Sequence, residues 1–213
     1  MVAELYSCQT CSDTKKVIIR EPDGSVLRSE CPECVAKKYT NKLFLDSGIP
    51  PVLLQSSLES KDPQFASFLS QFSRKSLPLK TYIFTSLIPD TTLRHAAILV
   101  KTAIDNKMTS RLISLSSLFS KLGESDLPWP TTLCRISDDT DVFVLHLCRE
   151  LRGSVSKETD LFYSLYRRRR MGAKPFFIFS ELDFSGILDV WGEQMALFFR
   201  QKTSDLEFVE LKE

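Results

Sequence analysis

The sequence predicts an α/β protein: a small cysteine-bearing N-terminal module followed by an open parallel sheet flanked by helices. Two Cys-x-x-Cys pairs, Cys8/Cys11 and Cys31/Cys34, stand near the start. From residue 81 onward, short β-rich runs alternate with amphipathic helical runs, the signature of βαβ units. Of 213 residues, 43% are hydrophobic and 26% charged, the balance of an ordinary soluble globular chain. That length supplies one domain with a full core plus a small appendage.

The cysteines come first. Two residues between thiols let one tight turn aim both sulfurs at the same ion, and two such turns complete a tetrahedron. Cys8, Cys11, Cys31 and Cys34 are therefore expected to bind zinc. Residues 17–20 and 25–28 between the pairs read as short strands joined by Glu21-Pro22-Asp23-Gly24, whose Pro-Asp-Gly is a turn. Disulfides would need an oxidising compartment that nothing in the sequence suggests. A helical run over 35–45 closes this module, assigned to residues 1–46, and Ser47-Gly48-Ile49-Pro50-Pro51 breaks it. Residues 47–78 form a connector and a helix. Residues 52–61 are Ser-rich; Asp62 then stands as N-cap and Pro63 at the first helical position, with Phe65, Phe68, Leu69 and Phe72 on one face.

Residues 79–213 carry the alternating pattern. Strands are expected at 81–86, 110–115, 141–147, 175–180 and 206–211, with helices at 92–106, 117–122, 158–171 and 186–201. The run at 141–147 is almost continuously apolar and is placed inside the sheet. Phe176, Phe177, Phe179 and Phe184 read as sheet core, as do Phe162, Tyr163 and Tyr166 on the helix before them. Cys134 and Cys148 lie in apolar surroundings and read as small buried hydrophobes.

Net charge is +1, so there is no global pull toward nucleic acid, and any such binding needs a local patch. Arg167, Arg168, Arg169 and Arg170, with Lys174 after them and Arg152 and Lys157 before them, form the candidate. One reading is a phosphate-contacting patch for single-stranded DNA. The other is a solvated helix end, where cations complement the negative end of the macrodipole. Four consecutive helical residues sweep all faces, so not all four can meet one partner.

His95 reads as a partly exposed helix residue and His146 as a core histidine with a satisfied ring. Asp138-Asp139-Thr140-Asp141 reads as a solvated loop, since adjacent acids do not converge on one ion without other ligands. No apolar stretch approaches a membrane span. Residues 1–6 lack the basic and apolar regions of a secretory signal, so a cytoplasmic, intracellular location is expected.

Cys31-Pro32-Glu33-Cys34, the following Gly48-Ile49-Pro50-Pro51, and the helix, arginines, Lys174-Pro175 and Ser180-ending strand over 161–180 together resemble the bacterial replicative-helicase loaders of the DnaC/DnaI type. These are AAA+ ATPases related to the IstB transposition ATPases. The likeness runs from Cys8 to about residue 199, and it implies a P-loop/AAA+-like sheet behind the zinc module. The family's phosphate-binding loop has the form G-x-x-x-x-G-K-[ST]. The corresponding stretch here is Ser86-Leu87-Ile88-Pro89-Asp90-Thr91-Thr92-Leu93, in which Thr92 replaces the lysine and Leu93 the metal-binding hydroxyl. The seven glycines, at 24, 48, 123, 153, 172, 186 and 192, cannot form the motif in any register. His146 and Leu147 stand where the Mg²⁺-binding and water-activating acids belong, and Glu181 where an asparagine is usual.

The sequence therefore implies a degenerate nucleotide site at Thr92, Leu93 and His146, with no catalytic residue and no bound nucleotide expected. The function implied is that of a DNA-replication accessory protein that binds or loads a replicative helicase without hydrolysing ATP. Single-stranded DNA and an active ATPase homologue are its further candidate partners. The competing readings are a zinc-ribbon nucleic-acid-binding regulator and an inhibitor of the helicase or its loader.

Overall fold

A computed structural model describes residues 8, 10–20, 22–54, 59–72, 79–86, 88, 90–115, 129–147, 155–200 and 206–211. The chain divides into two compact units, Met1–Leu45 and Asp46–Glu213. The first holds an antiparallel hairpin, β1 (Lys16–Arg20) and β2 (Val26–Glu30), with Ile18 opposite Arg28. Its turn is fastened by the Asp23 carboxylate, which accepts the Ser25 N–H at 2.8 Å. Helix α1 (Pro32–Asp46) follows, and its proline sits in the first turn, where a missing N–H costs nothing.

The second unit is a five-stranded parallel sheet. Its strands are β3 (Thr81–Thr85), β4 (Ser110–Ser114), β5 (Val142–Leu147), β6 (Phe176–Ser180) and β7 (Leu206–Glu210), in the spatial order β4-β5-β6-β3-β7. The expected parallel α/β architecture is what forms. β5, the most apolar run, is buried along its whole length. Around the sheet lie α2 (Pro51–Leu54), α3 (Pro63–Gln71), α4 (Thr91–Asp105), α5 (Trp129–Asp139), α6 (Val155–Met171) and α7 (Phe184–Arg200).

Period-two alternation sorts the sheet residues onto two faces. In register, Tyr82 pairs with Phe177 and Phe84 with Phe179. These four rings form an aromatic layer, with Phe84 stacked on Phe179 at 4.7 Å. Helix α3 seals that layer: Phe65 meets Phe84 edge-on at 5.2 Å and Phe68 lies 5.0 Å from Tyr82. The helix starts as its sequence implies, the Asp62 carboxylate accepting the N–H groups of Gln64 and Phe65 at 2.8 Å each. On the opposite face Ile83, Phe143, Leu145, Phe176 and Ile178 join Phe162, Trp191 and Phe198 from α6 and α7 in the larger core cluster.

Three differences from the sequence reading have physical causes. Helix α5 was not foreseen, because its buried row is Leu133, Cys134 and Ser137, too short and too polar to read as a stripe. It also absorbs Asp138 and Asp139 into a helix end, so the acidic run is not a loop. Asp141 caps a turn, its carboxylate accepting from the Thr109 N–H and hydroxyl. Helix α7 is interrupted at Gly192, whose φ of 78° and ψ of 179° are non-helical and accessible chiefly to glycine. The expected helix at 117–122, together with Cys148, Arg152 and the Phe184 and Lys157 side chains, lies outside the described residues.

The Gly-Ile-Pro-Pro segment has a structural task. Ser47 accepts the Leu112 N–H at 2.7 Å on the outer edge of β4, and Arg111 donates to the Asp46 carbonyl. Gly48, at φ +76°, presses so closely on the Leu112 carbonyl that a Cβ would collide with it. The segment thus covers a sheet edge that would otherwise present unpaired backbone groups.

Candidate functional site

The four-cysteine cluster assembles from two turns. Thr14 N–H and hydroxyl both bond the Cys11 carbonyl, at 3.0 and 2.6 Å, while the Cys31 N–H reaches the Lys15 carbonyl at 2.9 Å. These bonds bring the two Cys-x-x-Cys knuckles face to face. All four Sγ atoms lie within 4.8 Å of one another, with Cys8–Cys31 at 3.6 Å and Cys11–Cys34 at 3.5 Å. A disulfide would require about 2.05 Å. A tetrahedral ion with metal–sulfur bonds of about 2.3 Å needs sulfurs roughly 3.8 Å apart. The donor set and its spacing fit a closed, soft-ligand metal site.

The thiols feel their crowding. Its hydrogen bond to Cys11, together with burial, pushes the Cys34 thiol up to about 12. Glu33, 3.2 Å from Cys8, raises the Cys8 thiol in the same sense. Metal binding must displace these protons, so the site is coupled to pH.

The second site lies at the carboxyl ends of the strands. The connection from β3 travels toward β4, and that from β6 crosses to β7 beyond β3. Connections diverging in this way leave a crevice at the strand ends, the usual ligand position in open parallel sheets. Polar side chains of this chain occupy it. His146, 3% exposed at the end of β5, places its Nε2 3.1 Å from the Thr92 hydroxyl on α4 and 3.4 Å from Glu181 Oε1 after β6. Its Nδ1 is buried without a partner among the described residues. His95 is also buried, which corrects the reading of it as partly exposed: its Nδ1 bonds the Thr91 carbonyl at 2.8 Å and its Nε2 the Ser60 hydroxyl at 3.0 Å. Leu93 is half-buried in the first turn of α4. Ser180 folds its hydroxyl back on its own turn, accepting the Leu182 N–H at 3.1 Å. Leu87 and Pro89 of the connection lie outside the described residues. Three positions far apart in sequence, Thr92, His146 and Glu181, are thus brought together around one imidazole nitrogen.

The arginine run is dispersed. Arg169 is 1% exposed and donates to the carbonyls of Ser137, Thr140, Asp141 and Pro175 at 2.6–2.9 Å. Burial lowers its pKa to about 10, far enough above neutrality to leave it cationic. It is therefore unavailable to any surface patch. Arg168 pairs with Asp138 at 2.6 Å, and Arg170 approaches the Tyr166 hydroxyl at 3.4 Å. Lys174 donates to the Asp138 and Thr140 carbonyls, while Arg167 is exposed. Sequence reasoning had no signal for the carbonyl cage, because its acceptors are backbone atoms.

Comparison with solved structures decides the fold. The crystal structure of DnaI superposes with a TM-score of 0.58 at 16% identity, covering 81% of this chain and 97% of DnaI. The chain has a DnaI-like fold. The crystal structure of the DnaC helicase loader is also similar, with a TM-score of 0.47 at 13% identity over 76% of this chain and all of that one. No protein-family model and no curated protein matches the sequence. Among the described residues no helix is long and apolar enough to cross a membrane.

Proposed function

We propose that this chain is a non-hydrolysing accessory protein of DNA replication, which binds a replicative helicase and assists or controls its loading through binding energy alone. The observation that carries the reading is that His146 Nε2 lies 3.1 Å from the Thr92 hydroxyl and 3.4 Å from Glu181 Oε1 in a loader-type fold. By the sequence resemblance, those are the positions of the phosphate-loop lysine, an acid of the third strand and the polar sensor. An ATPase needs a flexible glycine cradle, a lysine and a metal-binding hydroxyl there. Leu93 has no hydroxyl, the buried His146 holds the one on Thr92, and no residue there supplies the cradle or the lysine. The degenerate site then acts as a polar staple joining the ends of β5, β6 and α4.

The cysteine module, holding zinc, is the docking piece in this reading. Its hairpin exposes Ile18, Ile19, Val26 and Leu27 at 45–65%, more apolar surface than two short strands need for their own stability. Single-stranded DNA is a second contact, through cations of the α/β unit.

Two measurements test the proposal. The purified chain should show no ATP hydrolysis above background, and pull-down from the source cell should be dominated by a hexameric helicase. ATP turnover that disappears on Thr92→Ala would overturn the non-hydrolysing reading. An eluate without helicase would leave the nucleic-acid-binding regulator as the better account. A loading assay on single strands coated with binding protein separates a loader, which raises loaded helicase, from an inhibitor, which lowers it.

A further inference from the structure

The amino ends of the strands carry a second feature, on the opposite side of the sheet from the Thr92–His146–Glu181 crevice. A cavity of about 180 Å³ opens between the start of β3, the last turn of α6 and the residues leading into β6. Lys80, Arg170 and Lys174 line it with Tyr166, Leu79 and Thr81, and no carboxylate is among them. Three cations facing one small concavity give it a positive potential that attracts an anion.

Each cation is positioned by something other than its neighbours. Lys174 is anchored on the carbonyls of Asp138 and Thr140. Arg170 is exposed, on the turn of α6 above Tyr166. The Tyr166 ring is wedged edge-on against Phe198 at 4.7 Å, which fixes the direction of its hydroxyl. Lys80 pairs with Glu207 at 3.5 Å, with both side chains about half exposed, a surface pair weak enough to exchange for a stronger acceptor. The end of α6 is closed as well. The carbonyls of Arg168, Arg169 and Arg170 accept the N–H groups of Gly172, Lys174 and Ala173, so the helix end aims few bare carbonyls at an incoming anion.

We propose that this cavity is a phosphate-binding site. A guanidinium offers a planar fork and an ammonium a point charge, the two donor types that hold phosphate oxygens. Size narrows the ligand, since pockets for whole small molecules run to roughly 300–1,000 Å³. At 180 Å³ the cavity accepts a phosphate group with its ester stub while the remainder stays outside. A phosphodiester of a passing single strand meets that description, as does a free phosphate or a small phosphorylated molecule. The site concerns only the strand-contacting part of the function proposed above and does not depend on a helicase partner.

The test uses the full chain, without helicase, and two probes. Anisotropy of a labelled single-stranded oligothymidylate reports the strand, and thermal shift with inorganic phosphate reports the free anion. Lys80→Ala and Arg170→Glu alter exposed side chains, and Arg167→Ala is the control outside the cavity. Expected for a strand are an oligothymidylate affinity roughly tenfold weaker in Arg170→Glu, a salt slope reduced by about 1 in Lys80→Ala, and little change in Arg167→Ala. No oligothymidylate binding, but a phosphate-induced shift lost in both cavity variants, supports the same site with a small phosphorylated ligand. The proposal is overturned if neither probe binds, or if binding is equal in the wild type and both cavity variants. Helicase pull-down with the same variants reports separately on the partner.

Discussion

Two quartets of like residues mark this sequence, four cysteines and four arginines, and folding treats them in opposite ways. The cysteines are separated by up to 26 positions and end within 4.8 Å of one another. The arginines are consecutive and end with four different tasks: a buried clamp, an ion pair, a cavity wall and an exposed residue. A knuckle turn aims both of its side chains at one point, whereas a helix turns each successive residue about 100° away. Spacing that matches a ligand geometry is therefore informative, and mere density of a residue type is not.

The largest effect expected is on the cysteine quartet. Cys31→Ser removes the most buried thiol, at 0% exposure, and should abolish stoichiometric zinc binding, measured by metal analysis, along with the ordered hairpin, measured by amide exchange. Retention of both would break the comparison at its stronger end. Next is Arg169→Ala, which strands four buried carbonyls and is expected to destabilise the α/β unit by about 3–5 kcal/mol in denaturant titration. Arg169→Lys should rescue little, because one ammonium cannot span the four acceptors. If Arg169→Ala proved neutral, the clamp would be no clamp.

Acid titration sharpens the same contrast. The metal-free Cys34 thiol, pushed up to about 12 by its bond to Cys11, is protonated near neutrality and must lose that proton when zinc enters. The metal-free state thus binds more protons than the metal-bound state, so zinc affinity rises with pH and falls on acidification. Competition with a chelating dye at pH 8 and pH 6 should show weaker binding at the lower pH by about tenfold per unit for each proton displaced. An affinity independent of pH would contradict the thiol assignment. The smallest effect is Arg168→Ala, whose half-exposed pair with Asp138 should contribute less than about 1 kcal/mol to stability. A loss comparable with that of Arg169→Ala would show that the run acts as a unit.

Much of the fold was legible because its signals are local. Asp62 and Pro63 announce the start of α3, and the apolar run at 142–147 announces a buried strand. Helix α5 was missed because its inner row includes Ser137, a polar residue that only the packed neighbourhood makes a core residue. His95 was misjudged because its burial depends on Phe65, 4.8 Å away and thirty positions earlier in the chain. The absence of a G-x-x-x-x-G-K pattern was readable from the glycine positions alone. That Thr92 and Glu181 both approach the His146 ring was not readable, since α4, β5 and the turn after β6 meet only in space.

By itself, then, the sequence determined the four-cysteine cluster, the alternation that makes a parallel sheet, and the absence of a G-x-x-x-x-G-K pattern. Each is a matter of residue type at fixed short spacing, set by turn and strand geometry. Only the tertiary structure decided which arginine is core and which lines a cavity, what fills the crevice at the strand ends, and that Ser47 and Gly48 cover the edge of β4. Those outcomes depend on backbone carbonyls and on elements distant in the chain, and a backbone acceptor leaves no trace in the identity of its residue.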